Sequence, residues 1–329
     1  MVASTIRPVL AILEVTFPFF ALVLGGYVAA RQRLLPIEAI GGLNTFVLFF
    51  ALPALLYRFG ATTPVGRLFD PAVMALWLPC ALIVVGGTIV FSLNDRIRWN
   101  DASFGALVAA FPNTGFMGVP LLVALLGPAA AGPAIASILI DMVITTSLCV
   151  ALSRLDGVDG QGPMQAVSRA LRGALVNPLP WAILLGGLSS GLGVQPVQPV
   201  MATIGLLADA ASPVALFTIG AVLARSQMTS AASAQGPVAA RDFVPVVLVK
   251  LLFHPLLVWG AGTLAIRLGL PLEPFSLTVL VLVAALPSAS NVAMLAERYG
   301  ADAGRIARII MLTTAAAFLT FSAAVGVLT

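Results

Sequence analysis

Two short stretches of this sequence place uncharged polar side chains directly after a proline, inside apolar surroundings. The first is Phe111-Pro112-Asn113-Thr114-Gly115-Phe116-Met117-Gly118-Val119-Pro120, and the second is Leu286-Pro287-Ser288-Ala289-Ser290-Asn291-Val292. Proline deletes a backbone donor and clashes with the preceding turn, so a continuous helix through either stretch is not expected. The backbone N–H groups freed after each break would stand beside Asn and Ser side chains, which donate and accept without fixed charge. Pro112, Asn113, Thr114 and Gly115 form one half of this candidate site, and Pro287, Ser288, Ser290 and Asn291 the other. No Arg or Lys lies near either break, and neither break offers a carboxylate. A small organic anion held by dipoles and amides fits that chemistry better than a cation. The plainer alternative is that Asn113 and Asn291 only satisfy each other's exposed backbone.

Four ionisable residues lie within apolar runs: Asp141, Asp209, Lys250 and His254. In a bilayer each Asp or Lys carries an insertion cost of roughly 2.5–3.5 kcal/mol at mid-depth, so each needs a partner or a role. Lys250 and His254 are spaced i, i+4 and share a helix face. An Asp141–Lys250 pair is one expectation, and proton coupling or gating through these groups is the other. Cys80 and Cys149 lie in apolar segments and read as small core residues. No Walker sequence, His/Glu zinc spacing or nucleophile elbow is present, so the sequence calls for no metal, no cofactor and no enzymatic reaction.

The elements that must position these residues are membrane helices. Of the 329 residues 60% are hydrophobic and only 9% charged, against about 25% charged in a soluble domain. The chain reads as an all-α polytopic membrane protein embedded in a lipid bilayer. Its formal net charge of +4 has no basic cluster behind it, so nucleic acid is not an expected partner. Apolar runs fall at about 9–30, 36–59, 71–92, 102–126, 130–152, 174–193, 199–223, 243–268, 274–297 and 305–328, which gives ten crossings. The first is too long for a cleaved signal and reads as a membrane helix. Placing both termini outside the cytoplasm puts twelve arginines in cytoplasmic loops and four on the other side. That is the orientation the positive-inside rule selects, in a plasma (inner) membrane.

Five crossings flank each side of a polar interval, so residues 1–152 and 174–329 would be two repeats of opposite orientation joined by a cytoplasmic linker, 153–173. Phe49-Phe50-Ala51-Leu52-Pro53-Ala54-Leu55 aligns with Ala210-Ala211-Ser212-Pro213-Val214-Ala215-Leu216, and Gly60 then matches Gly220. Ala110-Phe111-Pro112-Asn113 aligns with Ala285-Leu286-Pro287-Ser288, with Gly127 and Gly300 closing those two segments. Under inversion the fourth and ninth segments cross with their breaks together, and broken helices of this kind are where secondary transporters hold substrate.

At these residues the chain resembles the auxin efflux carrier family, which includes plant exporters and bacterial malonate- or malate-permease-like proteins. The matching pieces are Ala51-Leu52-Pro53-Ala54-Leu55, Pro112 to Leu121, Asn177-Pro178, Ser212 to Phe217, Lys250-Leu251-Leu252-Phe253-His254-Pro255 and Ala285-Leu286-Pro287. The resemblance implies a fold like that of bile-acid/sodium symporters and an elevator mechanism. Scaffold helices would be about 9–59 and 174–223, and transport helices about 71–152 and 243–328. It also implies substrate contact by Asn113, a second site asparagine at Asn177, and a homodimer formed through the scaffold. The long central loop of the plant exporters is reduced here to about twenty residues, so their regulation does not carry over.

The expectation is therefore a secondary transporter of small carboxylates, with dicarboxylates such as malonate or malate favoured. A channel or sensor on the same fold, and a proton- or sodium-coupled symporter, are the rival readings.

Overall fold

In the computed structural model the described residues are 2–155, 178–232 and 240–328. Asn177 and nearly all of the 153–173 linker lie outside them. Every named element among the described residues is helical. Helices α1 (Val2–Arg31), α2 (Ala39–Thr62), α3 (Pro71–Ser92), α4 (Trp99–Ala110), α5 (Thr114–Leu126) and α6 (Pro128–Leu152) make up the first half. Helices α7 (Pro178–Leu192), α8 (Gln198–Ala232), α9 (Val244–Arg267), α10 (Pro274–Ala285), α11 (Asn291–Arg298) and α12 (Ala303–Leu328) make up the second. Among the described residues six helical stretches are long and apolar enough to cross a membrane, and four shorter apolar helices accompany them.

Local sequence sets these boundaries. Asp70 caps α3, its carboxylate accepting from the backbone of Ala72 at 2.8 Å with Pro71 at the first helical position, where its missing N–H costs nothing. Gly127 and Gly300 stop α5 and α11 in left-handed backbone, at φ of 86° and 70°, a conformation that glycine adopts without penalty. The matched pair expected from the sequence therefore has a common conformational cause. Helix α8 runs past the expected 223 to Ala232 because Ser-Gln-Met-Thr-Ser-Ala-Ala holds no breaker.

Among the described residues four π-helical turns interrupt the longer helices, at Val47–Ala51, Thr114–Gly118, Asp141–Thr145 and Val249–Phe253. Three of them precede Pro53, Pro120 and Pro255 by two residues. A proline ring strikes the carbonyl four residues earlier, here Phe49, Phe116 and Leu251, each in the middle of a widened turn. The fourth has a different cause. The Thr146 hydroxyl donates to the Asp141 carbonyl at 2.7 Å, inserting a side chain into the helical ladder.

Glycine contacts weld α1 to α8 and α2 to α7. A Cβ on Gly26 would fall 1.8 Å from the Phe217 carbonyl oxygen, and one on Gly220 would fall 1.8 Å from that of Val23. On the other pair, a Cβ on Gly186 would meet the Tyr57 oxygen at 2.5 Å, and one on Gly60 the Ile183 oxygen at 3.1 Å. Small residues allow this backbone approach in membranes, where packing must replace the hydrophobic effect. Helices α4 and α10 have a different character. Residues 102–110 and 279–286 are buried on every face, as expected of helices apolar all round.

Gly26→Ala is expected to destabilise the protein by about 1–3 kcal/mol, the range for overpacking. Gly25→Ala, with nothing within 4 Å of its new methyl, is expected to be silent. Thermal unfolding of the two variants in detergent, side by side, checks the weld.

Candidate substrate site

Both broken stretches form as the prolines require, and they meet. Phe111 and Leu286 each precede a proline and take extended backbone, at φ −94°, ψ 103° and φ −61°, ψ 156°, because the α region is closed to a residue before proline. Pro112 and Ser288 then face each other as one antiparallel bridge. The Asn113 N–H donates to the Pro287 carbonyl at 2.8 Å, and the Ala289 N–H donates to the Phe111 carbonyl at 3.0 Å. Other freed groups are satisfied locally. Thr114 N–H reaches the Pro112 carbonyl at 2.8 Å, and the Asn113 carbonyl accepts from Met117 at 3.1 Å and Gly118 at 3.0 Å. The Ser288 N–H donates to the Thr313 hydroxyl at 3.3 Å on α12. The helices approach closely because Gly118 leaves room for Leu286, whose side chain a Cβ would meet at 2.4 Å.

Two small clefts open beside the bridge. One, of about 350 Å³, is lined by Pro112, Asn113, Gly115, Phe116 and Asn291, and walled by Leu48, Leu52, Leu56, Ile138, Met142 and Leu179 among others. The second, of about 290 Å³, is lined by Asn44, Leu48, Phe116, Ile219, Val222, Ser290 and Asn291. Leu48, Phe116 and Asn291 border both. None of the lining residues is charged. The Asn113 and Asn291 side-chain oxygens and the Ser288 hydroxyl are buried without a hydrogen-bond partner, a state that buried polar groups seldom occupy. Asn113 and Asn291 therefore do not satisfy each other with these oxygens. Thr114 is fully buried, its hydroxyl 3.5 Å from the Pro112 carbonyl.

Three of the four ionisable residues gather in one buried cluster, but the expected Asp141–Lys250 ion pair is not among its contacts. Asp141 Oδ1 instead accepts from Trp77 Nε1 and from the Thr145 hydroxyl, both at 3.1 Å, while Oδ2 has no partner. Lys250 Nζ donates to the Ala284 carbonyl at 2.7 Å and stands 3.4 Å from His254 Nδ1. The His254 ring packs 5.3 Å from the Trp77 ring. Lys250 thus puts an ammonium on the last turn of α10, the negative end of its dipole. Asp209 lies elsewhere, 2.7 Å from Arg58 in an ion pair with its own side chain 71% exposed.

Several residues of this architecture carried no sequence signal. Trp77, Leu48, Met142 and Leu179 are ordinary members of apolar runs, and only tertiary contact marks them. Arg305, one of the arginines that set the orientation, is buried. It donates to the Asp242 carbonyl at 2.7 Å and the Asp101 carbonyl at 2.9 Å, tying α4 and α12 together. Among the described residues no group of three His, Cys, Asp or Glu could hold a metal.

Apolar helices with two facing mid-chain breaks define a polytopic membrane protein of the transporter class. The chain belongs to the membrane transport protein family, whose model matches residues 11–325, and it is a transporter, not an enzyme. It is 30% identical over 300 residues to a Rhizobium meliloti protein named "Putative malonate transporter", covering 90% of this chain and 89% of that one. It is 26% identical to the Escherichia coli K12 uncharacterized transporter YfdV, over 86% of each chain. A rice protein, auxin efflux carrier component 3a, matches at 29% over 126 residues, 35% of this chain and 19% of its own.

Trp77→Phe keeps the ring and removes the donor to Asp141. Loss of a hydrogen bond to a buried acid is expected to cost about 1–3 kcal/mol, measured as a lower unfolding midpoint in detergent. An unchanged midpoint would mean that Asp141 does not depend on this bond.

Proposed function

We propose that this chain is an elevator-type secondary transporter of small organic anions across the inner membrane. The observation that carries the reading is the bridge between the two breaks, with unpartnered amide and hydroxyl groups beside an uncharged cleft. Two half-helices, α5 and α11, begin at this point with their N-termini toward it. Thr114, Val292 and Ala293 bond local carbonyls there, and the positive ends of the two helix dipoles favour anions. In this reading Asn113, Asn291, Ser288, Ser290, Thr114 and Gly115 contact substrate, and Pro112 and Pro287 hold the breaks open.

Ten crossings in two inverted repeats are part of the same proposal. The reciprocal glycine contacts support it: exchanging the halves turns the α1–α8 weld of Gly26 and Gly220 into the α7–α2 weld of Gly186 and Gly60. The welded helices α1, α2, α7 and α8 would be the fixed scaffold, and a homodimer would form through them. The remaining helices would move with the substrate. Both termini would lie outside the cytoplasm. The relative named for malonate makes short carboxylates the substrates to test first. Coupling to protons, if transport is coupled, falls to Asp141, Lys250 and His254, since Asp209 sits in the surface pair with Arg58.

Asn113→Ala in reconstituted vesicles is expected to lower carboxylate flux at least about tenfold, the consequence of losing on the order of 1.4 kcal/mol of substrate interaction. Its unfolding midpoint should stay near that of the unmodified protein. Saturable counterflow in the unmodified protein separates this reading from a channel. Wild-type flux in the variant would remove Asn113 from the site.

A further inference from the structure

The cleft limits which carboxylates fit. Its lining holds no cation, and the buried ammonium of Lys250 is occupied by the Ala284 carbonyl and His254. Positive potential at the bridge comes from the N-termini of α5 and α11. Each terminus is equivalent to roughly half an elementary charge, and the C-terminal ends of α4 and α10 lie at the same crossing, so the pair offsets at most about one carboxylate. A second carboxylate in the same enclosure would be buried without a partner, which is far more costly than burying a neutral group.

The unpartnered atoms make a second demand. Asn113 and Asn291 line the cleft, and their unpartnered Oδ1 atoms are acceptors. Asn113 is 4% exposed, so water does not readily satisfy its oxygen. A fully ionised dicarboxylate brings acceptors only. It would leave both amide oxygens bare unless the amides turned over. A ligand with one carboxylate and one neutral donor satisfies both sets, its carboxylate taking the N–H groups and its donor meeting an amide oxygen.

Resting on the transporter reading above, we infer that this site selects a singly charged short acid whose other end is a neutral hydrogen-bond donor, such as a hydroxyl, a carboxamide or a protonated carboxyl, and excludes the dianion. The aliphatic wall of Leu48, Leu52, Leu56, Ile138 and Met142 packs the short chain between the two ends. Leu48 is one of the uncharged residues that border both clefts.

The test is a ligand series at one pH near 7.5 on the purified full chain, read by thermal shift and by competition for transport in vesicles. Malonamate and 3-hydroxypropionate each carry one charge and one donor. Monomethyl malonate carries one charge and no donor, and malonate two charges. The expected order of apparent affinity is malonamate and 3-hydroxypropionate first, monomethyl malonate next, and malonate last, about tenfold or more below the first pair. Leu48→Lys is expected to bring malonate up to or above malonamate; should that variant misfold, the ligand series on the unmodified protein decides alone. Malonate binding as tightly as malonamate, or more tightly, overturns the charge limit while leaving the carboxylate site in place. Monomethyl malonate equal to malonamate overturns the donor requirement. No response to any of the four acids overturns the transporter site itself.

Discussion

Two backbone hydrogen bonds, between Asn113 and Pro287 and between Ala289 and Phe111, are the constraint on which the rest of this structure depends. A helix broken in hydrocarbon exposes peptide groups that lipid cannot satisfy, so a break survives only where protein surrounds it. Here each break supplies what the other lacks. That solution obliges α4 and α10 to be enclosed on all sides, and it obliges the outer helices to wrap them. Residues Phe104, Leu107, Leu280 and Leu282, all fully buried, are part of that enclosure. The Phe116 carbonyl, in the widened turn ahead of Pro120, meets the Ser212 hydroxyl of α8 at 3.5 Å, so even the periphery of the break is tied to a neighbouring helix.

The bridge also sorts charge. Helices α4 and α10 end at the crossing and α5 and α11 begin there, which gathers opposite dipole ends in one small volume. The α10 end is met by Lys250 through Ala284. The beginnings face a cleft with no charged lining residue. The α10 side of the crossing is therefore neutralised by the protein itself, and the side of the beginnings is not. Asp141, held by Trp77 and Thr145, belongs to the neutralised side.

How much of this was legible in the sequence follows from the range over which each feature is determined. Proline and glycine act on their own backbone, so the breaks at Pro112 and Pro287 and the stops at Gly127 and Gly300 could be read directly. The Lys250–His254 contact is fixed by helical spacing and was equally readable. Partner choice across the fold was not. Asp141 finds an indole and a hydroxyl instead of Lys250, because Trp77 and Thr145 lie closer than the ammonium, and nothing in an apolar run announces that. Asp209 looked like a buried group because its segment is apolar, yet it faces outward beside Arg58. The leucines that wall the cleft are indistinguishable by type from those that face lipid.

The π turns carry an implication for how such a protein can change. Each takes up one residue more than a regular helix needs for the same span, so the helix beyond it avoids the turn of about 100° that an added residue would cause in a regular helix. Removing one of the five residues from Val249–Phe253 would let this turn close into a regular helix while its C-terminal half kept its neighbours. One-codon deletions at these loosened turns are thus changes that descendants of this chain could absorb without re-aiming helix faces or rebuilding the crossing between the two breaks.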